Sequence, residues 1–167
     1  MSWQLDPSSS TEPVPHVLGR VREVVSTHHL CVVATLGASG ARLTPCFYAP
    51  FDDTSLVIVS SRHSRHATTW EADPRFTALV AVSPPQGGRF VSLHLSGDVV
   101  RPTGMTRVRA VGAYAAHMSG QALRTGAAGT SDLFGKTVFV LRPVGIELLD
   151  TDVSSSPVRL GRHVTAA

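Results

Sequence analysis

Lysine is almost absent from this chain, because Lys136 is the only lysine among 15 basic residues and the rest are arginines. The net charge is a modest +3, and aromatic residues make up only 6% of the 167 residues. A nucleic-acid-binding surface normally concentrates basic residues on one face and often adds aromatic side chains that stack on bases. The scattered charge and the scarcity of aromatics therefore argue against nucleic acid as a partner.

Long apolar runs are also missing. No stretch approaches the ~18 consecutive apolar residues that a membrane-spanning helix needs, although 43% of the residues are hydrophobic and can form a core. Residues 1–16 are polar and rich in proline and serine, and they lack the basic start and the apolar run of a signal peptide. We therefore expect a cytoplasmic protein that does not associate with membranes.

Cysteine is scarce as well, since Cys31 and Cys46 are the only two. One pair does not make a disulfide framework, and neither cysteine has a base close in sequence that would activate its thiol. The two positions are symmetric about Ala38 and Ser39, so a hairpin turn there would place the cysteines opposite each other. We interpret them as buried thiols that pack as small apolar groups, with a redox pair as the alternative.

Several motifs of catalytic and nucleotide sites do not occur. The sequence contains no GxxxxGK[ST] loop, no GxGxxG fingerprint, no HExxH and no CxxC. The GxSxG pattern also fails, because Gly37-Ala-Ser-Gly40 is followed by Ala41 and has the composition of a hairpin turn. His63 and His66 are three residues apart, but they lack a third ligand nearby, so we expect no metal site.

The length corresponds to one domain. We assign residues 1–13 to a flexible N-terminal arm, 14–150 to the folded domain and 151–167 to a polar C-terminal extension. Apolar periodicity predicts helices from Pro15, within 61–75 and over 105–118, and strands over 30–36, 41–49, 55–60, 76–82, 91–99 and 137–149. Six short strands joined mostly by tight turns predict a mainly β fold with flanking helices, a six-stranded antiparallel barrel.

Two helices of this prediction have defined faces. Val17, Leu18, Val21, Val24 and Val25 share the inward face of the first helix, at helical spacing. In the third helix the predicted inward residues are Met105, Val108, Val111, Ala115 and Met118. The segment Gly120–Thr130 lacks large apolar residues, so it is predicted to be a mobile loop, either a passive connection or a lid over a substrate.

The densest group of functional side chains is SSRHSRH at positions 60–66, between a predicted strand and a predicted helix. Hydroxyls, guanidinium groups and the free N–H groups of a helix start suit a phosphate. The alternative is a solvated loop whose serines cap the helix.

A second group, LTPCFY at positions 43–48, lies on a predicted strand. A flat tricyclic ring needs an apolar wall and nearby backbone groups that pair with its polar edge. Pro45 suggests a bulge or a strand edge, where a neighbouring backbone group is free for a ligand. Ordinary strand packing by Phe47 and Tyr48 is the alternative.

In their order and spacing, these segments resemble the pyridoxamine 5'-phosphate oxidase-like, FMN-binding split-barrel superfamily, which includes the flavin/deazaflavin-dependent oxidoreductases. The resemblance is carried by LCVVATLGASGARLTPCFYA (30–49), SLVIVSSRHSRHATTWEADPRFTALV (55–80) and VSLHLSGDVVRP (91–102). It implies a homodimer that binds FMN or the deazaflavin coenzyme F-420 between its subunits. The implied ring site is Thr44, Pro45, Cys46 and Phe47, and the implied phosphate site is Ser60, Ser61, Arg65 and His66, to which Arg62 is added from the same cluster.

The activity that this resemblance implies is hydride transfer between the bound cofactor and a small organic substrate, such as a natural-product intermediate. The catalytic residues are not assigned. Many members of the superfamily carry a lysine shortly after the position of Arg65, where this chain has His66 or Thr68, and the C-terminal arginine signature of true pyridoxamine phosphate oxidases is not evident in residues 157–167. The alternatives are a non-catalytic flavin- or haem-binding sensor of the same fold, and a cofactor-free interaction module.

Overall fold

The regular structure of the chain is taken from a computed structural model, which describes residues 2–37, 40–82, 90–125, 136–151 and 156–163. The helices are α1 Val14–Thr27, α2 Arg65–Ala72 and α3 Gly104–Thr125. The strands are β1 Ser2–Leu5, β2 Leu30–Gly37, β3 Gly40–Phe51, β4 Ser55–Ser61, β5 Arg75–Val82, β6 Val91–Val100, β7 Lys136–Asp150 and β8 Val158–His163.

The strands form an antiparallel sheet in the order β1-β8-β7-β4-β3-β2-β5-β6, and β6 also pairs with β7. This last pairing closes β2 to β7 into a six-stranded barrel. The predicted fold class, a mainly β protein with a six-stranded antiparallel barrel and flanking helices, is thereby confirmed.

Regular structure occurs in both end segments of the chain. β1 lies within the predicted arm and pairs with β8 of the predicted extension, from Ser2 opposite His163 to Leu5 opposite Leu160. β8 in turn pairs with β7. The termini therefore add two strands to the edge of the barrel sheet, and the expectation of an arm without regular structure does not hold for Ser2–Leu5. Pairing between residues so far apart in sequence leaves no local pattern from which it could be predicted.

The core fills the barrel and the space beneath α1. The five predicted inward residues of α1 are all buried in it, together with alternating residues of the strands such as Val33, Tyr48, Ile58, Leu93 and Leu141. This alternation places one face of each strand inside and the other outside. The predicted inward face of α1 is confirmed.

A second, smaller cluster lies between α3 and the outer surface of β3, β4 and β7. Ala110 and Tyr114 of α3 are buried there with Phe51, Val57 and Val140. The inward face of α3 is therefore rotated from the predicted one, because Met105 and Val108 are 73% and 62% exposed. The helix also continues to Thr125, into the segment that was predicted to be a loop, and the remainder of that segment lies outside the described residues.

The crossing of β6 and β7 requires glycine. The ladder between these strands shifts register between Ser96 and Gly97, and a Cβ atom at Gly97 would lie 2.1 Å from the carbonyl oxygen of Arg142 and 2.9 Å from the Cα of Pro143. Both neighbours are backbone atoms that cannot rotate away. The Ser-Gly-Asp step in the sequence of β6 is thus explained by the close approach of the two chains.

Candidate functional site

The barrel is open where β3 and β4 separate. β3 pairs with β4 only over Tyr48–Phe51, opposite Ser55–Ile58. Before Tyr48, β3 continues beside β2, and after Ile58, β4 continues beside β7. Each strand therefore has an edge at this opening whose backbone groups are outside the β3–β4 ladder. Pro45 lies on that edge of β3, which is the environment that its missing N–H predicts.

The four residues of the predicted ring site lie on two faces of β3. Cys46 is buried in the core and Thr44 is half-buried on the same, inner side of the strand. Pro45 and Phe47 face outward, and Phe47 is 51% exposed. The ring of His29 stacks on Phe47 with a centroid distance of 5.9 Å and an interplanar angle of 11°. Only Pro45 and Phe47 can therefore form one exposed wall.

This wall belongs to a larger apolar surface, which we call the hairpin face. Cross-strand partners in β2 and β3 share a face, and on the outer side all of them are apolar: Leu30 with Phe47, Val32 with Pro45, Ala34 with Leu43, and Leu36 with Ala41. Leu36 and Leu43 are 67% and 71% exposed. The hairpin face therefore leaves large apolar side chains open to solvent, a feature that interaction surfaces share.

Three side chains bind one another where the polar end of β4 meets the start of α2. The Oγ of Ser60 is 2.9 Å from Nε2 of His66, and Ser64 Oγ is 3.1 Å from the same nitrogen. Ser60 also donates to Ser64 over 3.2 Å, and Ser64 caps α2 by accepting from the N–H of Ala67. His66 is buried edge-on against Trp70, at a centroid distance of 5.1 Å, and this burial lowers its pKa. His66 is thus a neutral, buried group that fixes the start of α2.

Ser61 and Arg62 occupy the turn between β4 and α2. The Oγ of Ser61 accepts from the N–H of His63 at 3.2 Å, and Nε of Arg62 donates to Nε2 of His63 at 2.9 Å. All three residues are exposed. The structure therefore places Ser61 and Arg62 on the outside of the corner whose interior is formed by Ser60, Ser64 and His66.

Arg65 opens α2 and lines a cleft between this helix and the β2–β3 hairpin, which we call the hairpin–helix cleft. The cleft has a volume of about 450 Å³ and is lined by Thr35, Gly37, Gly40, Arg42, Arg65, Thr68 and Thr69. Arg65, Thr68 and Thr69 lie on one face of α2, at i, i+3 and i+4 spacing. Arg42 is a residue that the sequence analysis missed, and its position on the inner side of β3 with Thr44 and Cys46 is the only local signal for it.

The two cysteines are directly opposite each other in β2 and β3, as the hairpin symmetry predicts. Both are free and buried, and Sγ of Cys31 is 3.6 Å from the carbonyl oxygen of Cys46. Burial raises the pKa of Cys31 to about 12 and that of Cys46 to about 11. Both thiols are therefore protonated at neutral pH, which is unfavourable for a nucleophile.

Metal-binding side chains do not cluster in the described part of the chain, where no group of three or more His, Cys, Asp or Glu residues is arranged to hold a metal ion. Within the same residues, no helix combines the length and the apolar character that crossing a membrane would require.

Comparison with known proteins identifies the fold. A scan against protein-family models finds no match, and a search of curated proteins finds none either. Among solved structures, a haem-binding protein from Mycobacterium smegmatis superposes with a TM-score of 0.68 at 18% identity, covering 84% of this chain and 55% of that protein. This chain thus spans little more than half of the length of that protein.

Two further structures match over nearly their full length. A conserved hypothetical protein from Mycobacterium tuberculosis gives a TM-score of 0.67 at 12% identity, covering 96% of this chain and 95% of that one. A FAD-binding protein from Mesorhizobium loti gives 0.60 at 14% identity, covering 97% and 100%. The solved neighbours are split-barrel proteins of the pyridoxamine phosphate oxidase-like type, so the chain has that fold.

Proposed function

We propose that the protein is a flavin- or deazaflavin-dependent oxidoreductase of the cytoplasm, which transfers a hydride between bound FMN or coenzyme F-420 and a small organic substrate such as a natural-product intermediate. The observation that carries this proposal is the opening between β3 and β4. There, the exposed wall of Pro45 and Phe47 and the polar end of β4 occur at the same break in the barrel ladder.

The residues at the opening fit an isoalloxazine cofactor. The free edge of β3 offers backbone groups to the polar edge of a ring, and Phe47 offers an apolar surface to its face. Arg65 begins α2 beside the polar corner that Ser60, Ser64 and His66 form, and its guanidinium makes no ion pair or hydrogen bond with any other described residue. An exposed guanidinium at a helix start suits a phosphate.

In this proposal each group has a separate task. Pro45 and Phe47 orient the ring and exclude water from one side, while Arg65 and the hydroxyl of Ser61 hold the phosphate. Ser60, Ser64 and His66 position the start of α2 through their mutual hydrogen bonds. When bound, the ring supplies the redox chemistry, as cofactors do in oxidoreductases. The cysteines take no part, because their raised pKa keeps them as thiols.

A homodimer is part of the same proposal. The hairpin face is apolar along eight residues, and a single subunit leaves Leu36 and Leu43 more than half exposed. Burial of such surface stabilises association by about 25 cal/mol per Å². Because Phe47 belongs to this face, a second copy placed on it would also complete the cofactor site. Light scattering of Leu43→Glu should then give a monomer mass where the unmodified protein gives a dimer.

An absorption spectrum of the purified protein tests the function directly. A flavin band or a deazaflavin band would support the proposal, and titration with each cofactor should follow a blank spectrum because a weakly held cofactor is lost in purification. Failure of FMN and coenzyme F-420 to bind at micromolar concentrations would refute it. Turnover then separates an oxidoreductase from a non-catalytic flavin-binding sensor.

Haem binding is the second candidate, and one observation favours it. His29 is half-buried beside Phe47 at the margin of the hairpin face, where an apolar surface and an imidazole occur together. The Mycobacterium smegmatis structure named as haem-binding shares the fold. A Soret band on haem titration that disappears in His29→Ala would support this candidate against the first.

A further inference from the structure

A small cavity lies between the second half of α2 and the strands β6 and β7, and we call it the α2–β7 cavity. It has a volume of about 290 Å³ and shares no residue with the hairpin–helix cleft. This volume is close to the lower limit of about 300 Å³ for small-molecule sites, so it suits a ligand with a single ring. The lining residues are Trp70 and Glu71 of α2, Val99 of β6, Arg101 just after β6, and Phe139 of β7.

The inner walls of this cavity are aromatic and rigid. Trp70 and Phe139 are 5% and 1% exposed, and their ring centroids are 5.2 Å apart at an interplanar angle of 58°. His66 packs against the same indole ring at a centroid distance of 5.1 Å, so Trp70 is held by two neighbouring rings. Val99 adds an aliphatic side chain. A flat apolar group is the ligand that such walls complement.

One polar atom of these walls has no partner. The Nε1 of Trp70 is buried and makes no hydrogen bond to any other residue that the structure describes. The indole N–H is a donor only, and a buried tryptophan normally places it on an acceptor. Because Trp70 lines the α2–β7 cavity, an oxygen atom of a bound ligand would supply the acceptor that the protein does not.

A charged pair lies at the solvent side of the cavity. Arg101 donates to the carboxylate of Glu71, and the two side chains are 47% and 52% exposed. The guanidinium carbon of Arg101 is also 5.4 Å from the centroid of Phe139, over the face of that ring. An exposed ion pair contributes little to stability. A carboxylate carried by a ligand can therefore replace Glu71 as the partner of Arg101, beside the aromatic walls.

We propose that the α2–β7 cavity binds a small aromatic carboxylate with an oxygen acceptor on its ring. The ring packs against Trp70 and Phe139, and the carboxylate takes the place of Glu71 on Arg101. The oxygen at the other end of the ring accepts from the N–H of Trp70, which lies deeper than the half-exposed Arg101. This site is separate from the opening between β3 and β4, and it requires no flavin or deazaflavin.

Three matched ligands test the proposal by calorimetric titration of the full chain. The probe para-hydroxybenzoate carries both polar groups, para-methylbenzoate lacks the oxygen acceptor, and para-hydroxybenzamide lacks the charge. We expect para-hydroxybenzoate to bind at least tenfold more tightly than either of the other two, because a site built to bind a polar group rejects the analogue without it. Absence of binding at millimolar concentration, or equal affinity for all three ligands, would overturn the proposal.

Substitutions of the charged pair should act in opposite directions. Arg101→Gln should remove the advantage of para-hydroxybenzoate over the amide. Glu71→Gln removes the competing carboxylate, so it should raise the affinity for para-hydroxybenzoate at least threefold and leave that for the amide within twofold. Arg22→Gln is the matched control, because Arg22 is also in an exposed ion pair, with Asp53, and does not line the cavity. Equal losses of affinity in Arg101→Gln and Arg22→Gln would overturn the role of Arg101.

The indole N–H can be observed without altering the cavity. The chain has two tryptophans, so Trp3→Phe leaves Trp70 as the single source of an indole resonance in a nitrogen-15 NMR spectrum. Saturation with para-hydroxybenzoate should shift the Trp70 N–H proton downfield, as a new hydrogen bond does, and para-methylbenzoate should not. Trp70→Phe, which keeps a ring but lacks the donor, should remove the preference between these two ligands. An unchanged Trp70 resonance with para-hydroxybenzoate bound would place the ligand elsewhere and overturn the proposal.

Discussion

The barrel contains two strand pairs of opposite character, β6–β7, which we call the closed seam, and β3–β4, which we call the open seam. At the β6–β7 seam, every residue of β6 from Val91 to Val100 pairs with β7. At the β3–β4 seam, pairing is limited to Tyr48–Phe51, and the two strands then separate. The closed seam continues its ladder along the whole of β6 with one shift of register, whereas the open seam leaves an edge, an apolar wall and a cluster of polar side chains. In our proposal, ligand binding therefore belongs to the open seam and the stability of the barrel to the closed one.

The two seams also differ in the kind of residue that each contains. The closed seam needs the absence of a side chain at Gly97, where two backbones meet. The open seam carries side chains that a stable fold does not require, such as the exposed Phe47 and Arg65, whose guanidinium has no partner among the described residues. Substitutions at the closed seam should thus unfold the protein, and substitutions at the open seam should change binding.

The largest effect is expected for Gly97→Val. Its Cβ would lie 2.1 Å from a carbonyl oxygen, so the strands must separate or the barrel must open. We expect a loss of more than about 4 kcal/mol in the free energy of unfolding, at the upper end for single substitutions. Urea unfolding followed by circular dichroism measures it.

Gly112→Ala is the control for this variant. Gly112 lies in α3 with no atom within 4 Å of its added Cβ, so alanine should leave the stability unchanged or raise it by up to about 1 kcal/mol. If Gly97→Val were as stable as the unmodified protein, the close approach at the closed seam would be wrong.

The sequence carries most of the information for the barrel and much less for the site. Alternation and turn residues locate the six barrel strands because these signals are local. β1 and β8 are missed because both are short, and the partner of β1 lies at the other end of the chain. The predicted inward face of α3 is wrong because Met105 and Val108 are apolar but exposed. The packing of Ala110 and Tyr114 against the barrel determines which face of the helix is buried.

The candidate site shows the same limit. The cluster at 60–66 is found from composition, but its division into the hydrogen-bonded Ser60, Ser64 and His66 and the exposed turn depends on the fold. Thr44, Pro45, Cys46 and Phe47 are adjacent in sequence, yet the strand places them on two sides. Arg42 and Arg65 line the same cleft because the hairpin and α2 lie side by side in the fold, and local patterns do not show such an arrangement.

At the open seam, Arg65→Ala should weaken binding of the cofactor by about ten- to a hundredfold. This corresponds to the loss of a charge-assisted hydrogen bond, roughly 1.5–3 kcal/mol. The free energy of unfolding should stay within about 0.5 kcal/mol, because Arg65 is exposed and unpaired within the described residues. Fluorescence titration and urea unfolding measure the two quantities.

Arg22→Ala is the matched control. Arg22 forms an exposed ion pair with Asp53, in the turn before β4, and the length of that strand, about 20 Å, separates this turn from Ser61. Arg20 is less suitable, since it binds the buried carboxylate of Asp150 at 2.7 Å. Equal losses of affinity in Arg65→Ala and Arg22→Ala would exclude the phosphate role of Arg65.

A smaller effect is expected from pH at the polar corner. Burial lowers the pKa of His66 below its unfolded value, so the unfolded chain binds the extra proton more readily. Stability is then fully present above the unfolded pKa and is lost as the pH falls, with a slope of at most about 1.4 kcal/mol per pH unit for one proton. His66→Gln should flatten this part of the profile between pH 7 and 5. An unchanged slope in His66→Gln would show that another group is responsible.

The smallest effect is expected for the cysteines. The double variant Cys31→Ala, Cys46→Ala removes two buried thiols, and it should lose stability because each alanine leaves space in the core. Turnover per bound cofactor should nevertheless stay within a few-fold, since a pKa of about 11 leaves roughly one thiol in a thousand ionised at pH 8 for Cys46, and fewer for Cys31. Alkylation of the native protein at pH 8 should accordingly be slow and should become rapid after unfolding. Rapid alkylation of the folded protein, or loss of turnover with the cofactor still bound, would instead place a reactive thiol at the open seam and assign Cys46 a part in the chemistry.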